Sequence, residues 1–174
     1  MDVQDRDAAS LSLPPATLDW ELKFVSGELK QAIAYWNSCR RERKRPSRSD
    51  LSPAGMSRFL KNVALFDVHH TAPDERVFQI RLTGTIVEQV YGSITGHVIN
   101  EVLPAEVAAR WQACLDAVCR EDRPLRLSGQ VGFKNKYWLT GEVLIAPLGD
   151  AVRPVSMIFA AFVWQRTSHS NNAS

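Results

Sequence analysis

With 174 residues, 45% hydrophobic and 23% charged, the chain is sized and composed for one folded domain plus a leading segment or tail. A net charge of +2 argues against a protein whose main task is wrapping nucleic acid, and no apolar run reaches bilayer-spanning length. The start, MDVQDRDAAS, is acidic and polar and lacks the basic and apolar regions of a signal peptide, so a cytoplasmic protein is expected.

Residues 1–16 read as disordered, being polar and charged and closing on Pro14-Pro15. From Thr17 to Arg41 the pattern predicts a helix. Leu29, Ile33 and Trp36 follow helix-face spacing with Ala32 beside them, and Leu22 and Val25 extend the stripe one turn earlier. Such a helix either covers an open end of its own core or pairs with a second copy, and apolar spacing does not separate the two. The segment CRRERKRPSRSD follows, where Arg40, Arg41, Arg43, Lys44, Arg45 and Arg48 face only Glu42 and Asp50. It reads either as a patch for nucleic acid or acidic lipid, or as a solvated helix end whose cations favour the negative helix pole. No aromatic residue interleaves to stack a base, which favours the solvated end. Ser52-Pro53 predicts a helix start and a brief helix to Leu60, burying Met56, Phe59 and Leu60. Residues 17–61 thus form a leading helical segment.

Strand patterns begin at Asn62, with Val63 and Leu65 inward, and a turn cluster at 71–74 predicts an antiparallel hairpin. The stretch from Val77 to Gly96 organises the rest. Phe78, Ile80 and Leu82 alternate with Gln79 and Arg81, the period of a strand with one buried face. Thr85 followed by Glu88 has capping-box spacing, and Gly92 is the residue type that ends a helix in the left-handed region. Gly96 turns the chain again. Val98–Leu103 is a short apolar link, and Pro104 opens a helix to Glu121 with Val107, Trp111, Leu115 and Val118 on one face. Three strands follow, Leu125–Phe133, Lys136–Leu148 and Pro154–Trp164, joined by turns at Asn135 and Gly149-Asp150. The last, VSMIFAAFVW, is apolar enough to be central and buried on both faces, so each face needs cover, and the leading helix is a candidate for the second. Residues 166–174 read as a disordered tail. The fold class is α+β, a five-stranded antiparallel sheet over 62–165 with helices on one face and a leading helix.

Several short motifs stand in order along the chain: Tyr35-Trp36, Pro46-Ser47-Arg48-Ser49-Asp50, Arg81-Leu82-Thr83-Gly84-Thr85, Tyr91-Gly92 and Thr95-Gly96. Together with the element order, they make the chain resemble a PAS-like family of small alphaproteobacterial proteins, known as a domain of unknown function. The resemblance covers most of the chain. It implies a sensory fold, and a helix in the leading position often serves dimerisation there, which would give that role to Leu29, Ile33 and Trp36. Haem-binding PAS domains commonly take a His from the long helix, and 104–121 has none. Flavin-binding light sensors carry a Cys in an Asn-Cys-Arg-Phe-Leu setting that neither Cys114 nor Cys119 has. No cofactor is expected.

Other chemistry is thin. Cys39, Cys114 and Cys119 form no CxxC pair and read as buried thiols. His69 and His70 are adjacent on a strand and point to opposite faces, and His97 lies in a loop, so no metal site is expected. There is no GxSxG, GxxxxGK[ST] or HExxH motif, and Asp67, Glu88, Glu101 and Asp116 are not paired as acid and base. What remains is an interior to be filled by side chains or by a small apolar or aromatic ligand. Its expected lining is Phe78, Ile80, Leu82, Tyr91, Trp111 and Leu115, with Trp138 or Tyr137 joining according to register. The expectation is a non-enzymatic sensory module that binds a small molecule or a signalling protein partner, acts by conformational shift and forms a homodimer. The alternatives are a small α+β enzyme with a cavity active site, or nucleic-acid binding through residues 40–48.

Overall fold

A computed structural model describes residues 15–134 and 137–166. Of the disorder expected for residues 1–16 and 166–174, residues 1–14 and 167–174 lie outside the described residues, as does the turn expected at Asn135, while Ala16 and Arg166 stand in strands. The elements are β1 (Ala16–Asp19), α1 (Gly27–Arg40), β2 (Val63–Ala72), β3 (Glu75–Thr83), α2 (Thr85–Tyr91), α3 (Ile99–Val102), α4 (Ala105–Glu121), β4 (Leu125–Lys134), β5 (Tyr137–Leu148) and β6 (Met157–Arg166). The strands form one sheet in the order β1-β4-β5-β6-β2-β3, with every neighbouring pair antiparallel.

The sheet has six strands, not the expected five. Ala16–Asp19 pairs with β4, Ala16 opposite Gly129 and Asp19 opposite Arg126. This strand is too short to show a period, which is why its residues read as the start of the helix expected from Thr17. The Asp19 carboxylate then turns the chain, accepting the N–H of Glu21 (2.8 Å) and of Lys23 (2.9 Å). The helix begins only at Gly27. Glu142, on β5, accepts the N–H groups of Val25 and Ser26, and Ser26 Oγ accepts Leu29 N–H at 3.4 Å as the N-cap. Val25 is left 76% exposed, outside any apolar stripe.

Helices cover both faces of the sheet, and the leading helix takes the second. β6 shows why both need cover. Ile158, Ala160 and Phe162 belong to one buried cluster, and Phe159 and Ala161 to the other. The first cluster is closed by α2, α3 and α4. The second is closed by Leu29, Ala32 and Trp36 of α1 together with Leu51, Met56 and Phe59. Each such large side chain contributes about 1.5–3 kcal/mol on burial. Trp36 Nε1–H donates to the carbonyl of Pro147 at 3.0 Å, so the indole is satisfied while its ring is buried. The helix expected after Ser52 is a run of turns instead. Ser52 Oγ accepts Gly55 N–H (3.1 Å) as a cap would, and a single 3-10 turn, Leu60–Asn62, leads into β2.

The basic segment is neither a solvated helix end nor a continuous patch. Arg45 is 5% exposed. Its guanidinium pairs with Asp122 at 2.5 Å and donates to the carbonyls of Asp150 and Arg153, fastening the segment to the end of α4 and to the β5–β6 loop. Asp50 accepts from Ser47 N–H, Ser47 Oγ–H and Arg43, each at 2.7 Å. The Pro-Ser-Arg-x-Asp motif is thus a hydrogen-bonded turn.

Candidate functional site: an apolar cavity under short helices

β2, β3 and β6 supply the floor. On β2 and β6, Ala64, Phe66 and Phe162 point to this face, as the two-residue period requires. β3 departs from its period. Its ladder with β2 pairs Leu82 with Leu65 and Ile80 with Phe66, so Arg81 is an extra residue, a β-bulge. Below the bulge, Phe78 and Ile80 face the cavity side. Above it, Leu82 shares the side of Leu65 and is 37% exposed, while Thr83, opposite Ala64, reaches the cavity.

The roof is α2, the link 92–98 and α3. Gly84 precedes α2 with its N–H on the Val63 carbonyl at 2.7 Å. A Cβ there would come within 2.4 Å of the Lys61 carbonyl oxygen, so the chain passes too close for any side chain. The expected capping box at Thr85 does not form: Gly84 is the N-cap, and Glu88 instead accepts from Thr83 Oγ1 (3.1 Å). Gly92 ends α2 at φ +79°. The link then lies along the outer edge of β3. Ile80 N–H donates to the His97 carbonyl (2.8 Å), Gly96 N–H to the Ile80 carbonyl (2.7 Å), and the Gln79 amide to the Gly96 carbonyl (2.8 Å). Val87, Ile94, Ile99 and Leu103 hang from this roof, and α4 closes the remaining side with Trp111.

The cavity measures about 20 Å³, room for about one water-sized occupant. Of the expected lining, Ile80, Tyr91 and Trp111 come together there. Phe78 and Leu115 belong to the same buried cluster without reaching the cavity wall, Trp138 packs at that cluster's margin 5.8 Å from Phe133, and Leu82 is turned to the other face. Thr83, Val87, Ile94, Ile99 and Leu103 also stand in the wall, beyond the expected set. The first depends on the bulge, and the others sit in short turns with no period to follow. The polar side-chain groups of the wall are the hydroxyls of Thr83 and Tyr91 and the indole N–H of Trp111. Tyr91 Oη–H donates to the Val131 carbonyl at 3.2 Å, and its ring meets Trp164 edge-on at 6.0 Å. Burial pushes the Tyr91 phenol well above its ordinary range, partly offset by a hydrogen bond from Trp111, so it stays protonated.

The other residues with chemistry to offer lie elsewhere. His69 Nε2 bonds the Gln79 side chain (3.0 Å) and His70 Nε2 the Val155 carbonyl (2.9 Å), and among the described residues no His, Cys, Asp and Glu side chains are grouped to hold a metal ion. Burial pushes the thiols up, Cys114 to about 11 and Cys119 to about 12, which makes both poor nucleophiles near neutrality. Leu29 and Trp36, expected at a dimer interface, are 1% and 3% exposed in the chain's own core, and Ile33 is half-buried.

Short helices arching from β3 to α4 over an antiparallel sheet match the family whose profile fits this chain: the PAS domain family matches residues 25–162. The chain belongs to the PAS domain family. PAS domains serve as sensory and signalling modules. No curated protein and no solved structure matches the chain significantly. The match to this PAS domain includes α1 and the basic segment, so the leading elements are part of the family's unit. Among the described residues, no helix is long and apolar enough to cross a membrane.

Proposed function

We propose that this PAS domain is a non-enzymatic sensory module whose signal is read by the roof over the apolar cavity. The observation that carries the reading is the combination of a nearly filled apolar cavity with a roof made of brief, glycine-jointed turns. The wall offers two hydroxyls and one indole N–H, with no carboxylate, imidazole or thiol, so it suits binding more than acid–base or nucleophilic catalysis. At about 20 Å³ the closed state holds no organic ligand. A small apolar or aromatic molecule, or a protein partner gripping the roof, would act by selecting an arrangement in which α2, the link and α3 move off the sheet. A signal that binds both arrangements equally would do nothing, whatever its affinity.

The reading includes self-association along α1. With Leu29 and Trp36 committed to the chain's own sheet, Ile33 is the residue of the expected set left near the surface. Light scattering tests it: twice the 19.5 kDa chain mass supports the dimer, and a single-chain mass at high concentration removes it. Cytoplasmic placement belongs to the same reading. For the cavity, the experiment is titration with indole, read by the amide NMR signals of residues 84–103. Saturable shifts confined to the roof and floor support the proposal. Signals that stay fixed for indole and for the apolar molecules of a fragment set would overturn the ligand half of it and leave a protein partner as the signal.

A further inference from the structure

Away from the cavity, and sharing no residue with it, a groove of about 520 Å³ opens where four distant segments meet. Lys44 and Arg45 come from the basic segment, His70 and Arg76 from the β2–β3 hairpin, Arg120 and Asp122 from the end of α4, and Arg153 from the β5–β6 loop. We propose that this groove binds a compact phosphate-bearing polyanion, with pyrophosphate as the probe.

The charge balance carries the argument. Five cations, Lys44, Arg45, Arg76, Arg120 and Arg153, line the groove with one carboxylate, Asp122. That carboxylate already serves Arg45 at 2.5 Å and Lys44 at 3.1 Å. Two more acids stand just outside the wall: Asp116 lies 3.4 Å from Arg76 and Asp150 3.9 Å from Arg153. Counting both, two positive charges stay unbalanced. The C-terminal pole of α4 offsets roughly half a charge of that excess. Arg120 has no carboxylate partner among the described residues.

The positive floor cannot relax into water. The side chains of Arg45 and Arg76 are 5% and 11% exposed, and the Nε–H of each is buried without an acceptor. Lys44 and Arg153 at the rim are 64% and 82% exposed, and Arg120 is exposed, so these supply the ends that close on a ligand. Arg45, its terminal nitrogens held by Asp122 and by the carbonyls of Asp150 and Arg153, lends charge alone, while the exposed guanidinium forks of Arg120 and Arg153 match phosphate oxygens in geometry as well as charge. The rest of the wall is Cys119, Ala151, Val152, Pro154, Val155 and His70, whose ring is held to the Val155 carbonyl, and no Phe, Tyr or Trp offers a platform for a base, which disfavours a nucleic-acid strand. An anion there would join the basic segment, the β2–β3 hairpin, α4 and the β5–β6 loop into one bonded unit.

The full-length protein titrated with pyrophosphate by calorimetry tests this, beside the double variant Arg120→Ala, Arg153→Ala. Both positions are exposed, and a thermal melt checks that the variant folds. The expected result is one pyrophosphate per chain, weakened by added salt and weakened about tenfold or more by the double variant. In the wild type, the NMR signals of the Arg45 and Arg76 Nε–H groups shift during the same titration, which locates the site without any variant. Absence of both heat and shift would overturn the proposal, as would equal affinity in the double variant. Binding of poly-glutamate or single-stranded DNA while pyrophosphate leaves those signals unmoved would also overturn it, making the groove a docking place for a macromolecule.

Discussion

Replacing Gly84 by Ala tests how the roof is joined to the sheet. The added Cβ would stand 2.4 Å from the Lys61 oxygen, 2.6 Å from the Leu60 oxygen and 2.6 Å from the Lys61 carbonyl carbon. All three atoms are backbone, so no side chain can swing aside. Either β3 moves away from the turn before β2, or the Gly84 N–H to Val63 bond breaks. The first outcome costs about 1–3 kcal/mol as overpacking and the second about 1 kcal/mol as a lost hydrogen bond, so the expected loss is about 1–3 kcal/mol. Two further glycines are built-in controls. Gly92 has open space around it but stands at φ +79° and ψ −163°, a backbone region essentially reserved for glycine, so Gly92→Ala should cost about 1–3 kcal/mol through backbone strain alone. Gly27 has open space and ordinary dihedrals at the first position of α1, so Gly27→Ala should be neutral or slightly stabilising. Urea unfolding of the three variants, with slopes compared to confirm two-state behaviour, gives the ranking. A Gly84→Ala protein as stable as Gly27→Ala would refute the close-approach argument.

Three further outcomes are expected. Arg45→Met should destabilise by about 3 kcal/mol, at the low end for breaking a buried pair because Lys44 still reaches Asp122, and urea unfolding measures it. The Ser47 hydroxyl and N–H, then Arg43, hold Asp50 down to about 2. Its folded pKa lies below its unfolded value, so its contribution is complete above about pH 5 and is lost as pH falls through about 4 towards 2. The stability gap between wild type and Asp50→Asn should therefore close across that window, and a gap unchanged by pH would contradict the assignment. Trp36→Phe removes the bond to Pro147 and part of the ring's volume, with an expected loss of about 1–3 kcal/mol by the same assay.

Much of this fold is legible in the sequence because its strongest periods are long. α4 shows its buried face in Val107, Trp111, Leu115 and Val118, and β6 reads as central because both its faces are apolar. The glycine stop at Gly92 and the absence of one long helix across 84–103 follow from residue type alone. The misses have physical causes. β1 is a strand because β4 offers it an edge, a partner more than a hundred residues away. The bulge at Arg81 depends on how β2 and β3 register, and it moves Leu82 and Thr83 to opposite faces from those their alternation gives. Arg45 carries no mark in sequence to set it apart from Arg43 or Arg48, yet it alone of those three is buried. The apolar stripe of α1 is visible, but a stripe does not name the surface it packs on, and here that surface is the chain's own second sheet face.

The central claim is that the roof is a separable unit, held to the sheet by fewer hydrogen bonds than join β5 to β6 within it. Native-state hydrogen exchange resolved by residue measures this most directly. Amides of residues 85–103 should open at a free energy clearly below that of β5 and β6, and move together as one group. Protection in the roof equal to that of the central strands would contradict the account.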